Sequence, residues 1–125
     1  MDIIKRDELE VEILPGRAIQ KAVGKDGNSV SKKMTMGFAR YSKESGIMEP
    51  HHHAEETVYV IDTKDGWVQW GKAPDQLEDQ ITLSAGMTLH IPALEWHVFE
   101  FGGDGYVDII FFYGQVDQIR PEEMK

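Results

Sequence analysis

The sequence predicts an all-β fold, a sandwich or barrel built from many short strands. Apolar and polar residues alternate with a period of two through most of the chain. The alternating runs recur at roughly 8–12-residue spacing with turn signals between them. Helical pattern is nearly absent, the only candidates being the acidic tail after Pro121 and a turn or two near the start.

Taken in order, Leu9, Val11 and Ile13 alternate with Glu10 and Glu12 until Pro15-Gly16 breaks the run, which predicts an opening strand. Residues 17–23 form a second, closed by the turn-rich Gly24-Lys-Asp-Gly-Asn-Ser29. Met34, Met36 and Phe38 alternate with Thr35, Gly37 and Ala39 up to Tyr41, and are expected to form core or cavity wall. Further strands are expected at 57–61, 67–70, 81–83, 88–91, 98–101 and 106–113. Asp-Gly, Ala-Pro, Ser-Ala-Gly, Ile-Pro and Gly-Gly-Asp-Gly punctuate them. No internal repeat or linker interrupts the pattern, so residues 1–125 are read as one domain.

Composition narrows the function. A formal charge of -9 argues against nucleic acid and anionic membrane surfaces as partners. It argues mildly against a highly anionic substrate too, unless a bound cation reverses the field locally. With no cysteine there is no disulfide framework and no thiol chemistry, which fits a reducing compartment. No apolar stretch approaches the length of a membrane span, and the N-terminus lacks a signal-peptide layout, so a cytoplasmic location is expected.

The chemistry concentrates at His51-His52-His53, followed closely by Glu55 and Glu56. Imidazole nitrogen with carboxylate oxygen is a ligand set for a transition metal. The run is internal, between a turn and a β-like segment, unlike an expression tag. If it lies in a strand, His51 and His53 share a face and His52 points away. A second element follows, Gly86-Met-Thr-Leu-His-Ile-Pro92-Ala-Leu-Glu-Trp-His97, in which a glycine turn feeds a strand that a proline ends.

These two stretches resemble the paired motifs of the cupin superfamily. Gly46, His51, His53, Glu56 and Gly66 match the first, and Gly86, Pro92 and His97 the second, over residues 46–66 and 86–97. The resemblance implies a double-stranded β-helix jelly-roll barrel with His51, His53, Glu56 and His97 converging on one divalent transition metal (Fe, Mn, Zn or Ni). It also implies a homodimer formed by packing or exchanging N-terminal strands. The intervals from Gly46 to His51 and from His53 to Glu56 are each one residue shorter than the family pattern. Counting back from Glu56 without a gap would instead centre the site on His52 and put Pro50 at the first histidine position. Glu55 competes with Glu56, although the following x-x-Tyr-Val favours Glu56. Leu94 stands where a glycine is usual, and Phe101 where asparagine often is.

His90 reads as a packed or hydrogen-bonded structural residue that could instead line the cavity. Glu55 or His90 would be the available general base if inward-facing. Trp67, Trp70, Trp96, Phe99 and Phe101 read as core or interface, and Tyr41, Tyr59 and Tyr113 as hydroxyls that could enter the cavity. The Glu122-Glu123 tail reads as a solvated end. Two functions remain open. One is a metal-dependent enzyme acting on a small oxygenated metabolite, by isomerisation, epimerisation, lyase chemistry or dioxygenation. The other is a non-catalytic small-molecule binding or sensor protein on the same barrel.

Overall fold

Pro15-Gly16 turns the chain between its first two strands, with Gly16 at φ 85°, a left-handed conformation that suits a residue without Cβ. A computed structural model describes residues 1–120 and Glu123. Strands β1 (Glu12–Leu14), β2 (Arg17–Gly24), β3 (Ser29–Val30) and β4 (Thr35–Ser42) are followed by β5 (Glu56–Gly71), β6 (Asp79–Thr82), β7 (Thr88–Ile91) and β8 (Trp96–Tyr113). Short 3-10 turns at Arg6–Glu8 and Lys43–Ser45 complete the regular structure of the described residues. The first is the turn expected near the start; the tail helix expected after Pro121 lies outside the described residues. The sheet runs β1-β2-β4-β8-β5-β6, with β3 on β2 and β7 on β5. All pairings are antiparallel except β2 with β3. No described helix is long and apolar enough to cross a membrane.

Two pairs of expected strands are each one continuous strand. Residues 57–61 and 67–70 join in β5, and 98–101 and 106–113 join in β8, because the two strands pair along their length. The Asp-Gly and Gly-Gly-Asp-Gly punctuation lies at a shared bulge rather than at chain reversals. Lys64 pairs with Tyr106 and Gly66 with Phe101, so residues 102–105 stand opposite Asp65 alone. Asp65 and Gly103 both take φ 51° there. The bulge bends both strands, and the two halves of the sheet close on one core. Val58, Val60, Val107, Ile109 and Phe111 come from one half, and Val68, Leu83 and Phe99 from the other. Burying each of these larger side chains contributes roughly 1.5–3 kcal/mol.

The alternation in β4 holds, but the expected inward face is the outer one. Thr35, Gly37, Ala39 and Tyr41 are buried, whereas Met34 is exposed and Met36 and Phe38 are half-buried. Space explains the choice. A Cβ on Gly37 would lie 2.4 Å from the Gln20 carbonyl oxygen and 2.7 Å from the Phe111 ring. The interior beside β4 therefore accepts small residues, and Phe38 packs outside under the Arg6 guanidinium, 4.5 Å from its ring centroid.

Candidate metal centre

Main-chain pairing brings the two sequence-distant halves of the site together. The amide of His51 donates to the carbonyl of His97 at 3.0 Å, and that of His97 donates back to His51 at 2.9 Å. This isolated antiparallel bridge sets the two histidines directly opposite each other. The turn after Pro92 is tied to the same segment, since the Leu94 amide donates to the His53 carbonyl at 2.8 Å.

His51, His53 and His97 are buried, and one ring nitrogen of each lies within 4.8 Å of the others. His52 is half-buried on the opposite side, its ring edge-on to Trp96 at 4.2 Å between centroids. The segment lies outside the named strands, with His51 alone in a bridge, yet it turns His51 and His53 inward and His52 the other way, as a strand would.

Each Nδ1 of the buried trio meets a backbone carbonyl. His51 pairs with Glu49 at 3.0 Å, His53 with Ala54 at 2.8 Å and His97 with Glu95 at 2.8 Å. A carbonyl can only accept, so each Nδ1 carries a proton, and in the neutral ring Nε2 then carries the lone pair. That tautomer is the one a metal-binding histidine needs, held by an outer hydrogen bond that also fixes the ring. The Nε2 of His97 is buried with no hydrogen-bond partner. A buried acceptor with no donor is costly, and a cation at the cluster would satisfy it. Burial, with His51 and His53 nearby, pushes the His97 pKa down to about 3, so the ring is neutral at physiological pH.

Glu56, the first residue of β5, is also buried, and its carboxyl oxygen lies 3.5 Å from His53 Nε2. Burial pushes its pKa up to about 8, against opposing effects from the Tyr113 hydroxyl hydrogen bond and the Arg17 charge. Without a cation the carboxyl is therefore mainly protonated at neutral pH. Burial and the neighbouring Glu56 raise the Tyr113 hydroxyl well above its usual value, so it stays a donor. Glu55 and His90 do not enter the cavity. They are exposed and pair with each other at 2.6 Å, so neither is a base beside the histidine trio, although His90 lines the neighbouring cleft that His97 also borders.

Of the three tyrosines expected to offer a hydroxyl to the cavity, Tyr41 and Tyr113 are buried and Tyr59 is exposed. Phe99 is core, Trp70 and Phe101 pack against it, and Trp67 donates its indole N–H to Glu100.

Two arginines are unexpected. Arg17 and Arg120 are buried and line, with His51, His53, Glu56 and Tyr113, a cavity of about 20 Å³. That is room for about one water. Arg17 gives one sequence signal, since it shares the inward face of β2 with Ile19. Arg120 gives none, because its place depends on the chain after β8 returning across the barrel. His97 also borders a larger cleft of about 320 Å³, walled mainly by Val68, Trp70, Leu89 and Ile91, with His90 and Glu95 at its polar side.

No protein-family model matches the chain, and no curated protein does. Solved structures do. A protein from Planctomyces limnophilus aligns at 17% identity and TM-score 0.67, over 94% of this chain and 91% of that one. The polyketide cyclase RemF from Streptomyces resistomycificus aligns at 20% identity and TM-score 0.68, over 90% and 78%. An oxalate decarboxylase from Lactobacillus farciminis, in a formate complex, aligns at 16% identity and TM-score 0.69, over 90% of this chain and 33% of that one. With the all-antiparallel barrel core and the facing His51 and His97 segments, these likenesses show that the chain has the cupin jelly-roll fold.

Proposed function

We propose that the chain is a metal-dependent enzyme acting on a small oxygenated molecule, with His51, His53 and His97 binding one divalent transition metal and Glu56 as a fourth ligand. The observation that carries this is the set of three Nδ1–H groups bonded to backbone carbonyls, which leaves Nε2 as the ligating atom of each clustered ring. A divalent ion bound there supplies Lewis acidity and open positions for a substrate oxygen.

The chain's own residues do the rest. Tyr113 holds the Glu56 carboxyl by a hydrogen bond beside His53, and the positive charge of a metal would draw that carboxyl into its ionised form. Val58, Phe99 and Phe111 wall the interior and exclude water, which strengthens every electrostatic contact inside. RemF and the oxalate decarboxylase carry different reactions in their names on this same fold, so the fold does not choose the reaction.

Elemental analysis of the purified chain tests the assignment. About one equivalent of metal is expected in the unmutated protein, and His97→Ala should retain less than about a tenth of it, since a buried ligand and its orientation are both lost. Unchanged metal content in His97→Ala would sink the site. The apolar cleft beside His97 favours one competing reading, a binding protein without turnover. A chain that purifies metal-free with an apolar ligand in that cleft would support it.

A further inference from the structure

The cavity carries charge opposite in sign to the molecule around it. The chain has a formal charge of -9, yet two buried guanidinium groups, Arg17 and Arg120, line the space beside the histidines. Glu56 is the only carboxyl among the described lining residues. Arg120 is 8% exposed; its Nη1 donates to Glu123 at 3.2 Å, while its Nε and Nη2 are buried with no hydrogen-bond partner among the described residues. A guanidinium does not lose its charge in a protein, so burial cannot be relieved by deprotonation. Its planar fork of donors is complementary to a carboxylate, which accepts two parallel N–H bonds and neutralises the charge at once.

We propose that Arg120, with Arg17 beside it, forms a carboxylate subsite, so that the molecule taken by this barrel is a small organic acid whose carboxylate pairs with Arg120 and whose other oxygen faces the histidine cluster. The inference rests on the metal reading for that second contact only. Size restricts the ligand. The cavity of about 20 Å³ holds about one water, so even a small acid needs the side chains around Arg120 to draw apart, and a sugar ring needs far more room. A single water could meet one of the two donors that Glu123 leaves unmet, whereas a carboxylate could meet both.

Calorimetric titration of the zinc-loaded chain with glycolate, and with its neutral near-isostere glycolamide, tests the subsite. Glycolate should bind at least about tenfold more tightly, and Arg120→Gln should remove most of that preference while Arg120→Lys keeps part of it. Circular dichroism melts report whether the variants fold. If they do not, the Nε–H resonance of Arg120 in the unmutated chain serves instead, moving with glycolate and not with glycolamide. Equal affinity for the two probes, or a preference that survives Arg120→Gln, overturns the subsite. If the chain takes up neither zinc nor iron, manganese or nickel in its place, the metal reading fails by itself. The same titration on the metal-free chain then decides the subsite, upheld by an Arg120-dependent preference for glycolate and overturned without one.

Discussion

Leu94 sits at φ 65°, in the left-handed region, at the position where the cupin motif has glycine. A residue with a Cβ is strained there by roughly 1–2 kcal/mol, and the strain is held by the Leu94 amide bonded to the His53 carbonyl. The side chain is exposed, so little packing is lost when it is removed. Leu94→Gly should therefore stabilise the chain by up to about 1 kcal/mol, after subtracting the extra unfolded-state freedom of glycine. Leu94→Ala, which keeps the Cβ, should not. Thermal melts of both variants check this, and a Leu94→Gly that melts lower than Leu94→Ala refutes the strain. Beside this turn, His97 and Glu56 make the stability of the metal-free chain pH-dependent in opposite senses. His97 is held near 3 against an ordinary 6.5, so below pH 6.5 the unfolded chain binds a proton that the folded one refuses, and stability falls with falling pH. Glu56 is held near 8 against 4.5, so above pH 4.5 the folded chain keeps a proton that the unfolded one releases, and stability falls with rising pH. The two slopes cancel between pH 4.5 and 6.5. From 6.5 to 8 the Glu56 slope acts alone, on the order of 1 kcal/mol per pH unit. Denaturant melts of chelator-treated chain should show that decline, and Glu56→Gln should flatten it. A metal-free chain that gains stability from pH 6.5 to 8 contradicts the assignment.

Among the elements, the N-terminal turn is fastened by Arg6, and by Gln20, whose amide donates to the Arg6 and Leu9 carbonyls. Arg6 donates to both carboxylate oxygens of Asp108 in β8, at 2.9 and 2.6 Å, and to the Gln20 side chain in β2 at 3.0 Å. Asp108 is buried, so Arg6→Ala leaves a carboxylate without its charged partner and should cost about 2 kcal/mol. In Asp108→Asn that cost should shrink, because the charge is gone before the arginine is removed. A loss below about 0.5 kcal/mol for Arg6→Ala would show that the clamp is idle. The elements also show what the sequence carries and what it hides. Alternation is local, so it placed strands β4, β5, β7 and β8; His51 and His53 share a face as it predicts, although their segment forms only a single bridge and no strand. The sign of a face is not local: Met36 and Phe38 turn outward because Gly37 is crowded by the Phe111 ring of the paired strand β8 and the Gln20 carbonyl of β2. Turn residues are ambiguous in the same way. Gly-Gly-Asp-Gly can reverse a chain or bulge it, and only the pairing of β5 with β8 decides. The site follows the same division. His97 was legible through its glycine-proline spacing, whereas Arg120 reaches the cavity only through the path of the chain after β8.

Over the whole molecule, charge and exposed apolar surface act against each other in self-association. Ile3, Val11 and Ile13 are 84%, 54% and 63% exposed, all within the first strand and the segment leading to it. Strand β1 is also an edge of the sheet, with one side unpaired. An apolar edge strand invites pairing with another chain, and a second copy presents the same edge to form a two-fold contact. The resemblance to cupins leads to the same expectation of a dimer through N-terminal strands. At -9 each, two copies repel, while burial of the isoleucines and valine is insensitive to ionic strength at this level. Raising salt from about 0.01 M to about 0.15 M shortens the screening length from about 30 Å to about 8 Å. The dimer should therefore tighten over that range in sedimentation velocity. Ile13→Lys should weaken it at every salt concentration, because it places a hydrated charge in the apolar strip without removing a buried contact from the folded chain. A wild-type chain that stays monomeric at high micromolar concentration and about 0.15 M salt excludes this edge as the pairing surface, as does a dimer that Ile13→Lys leaves unchanged.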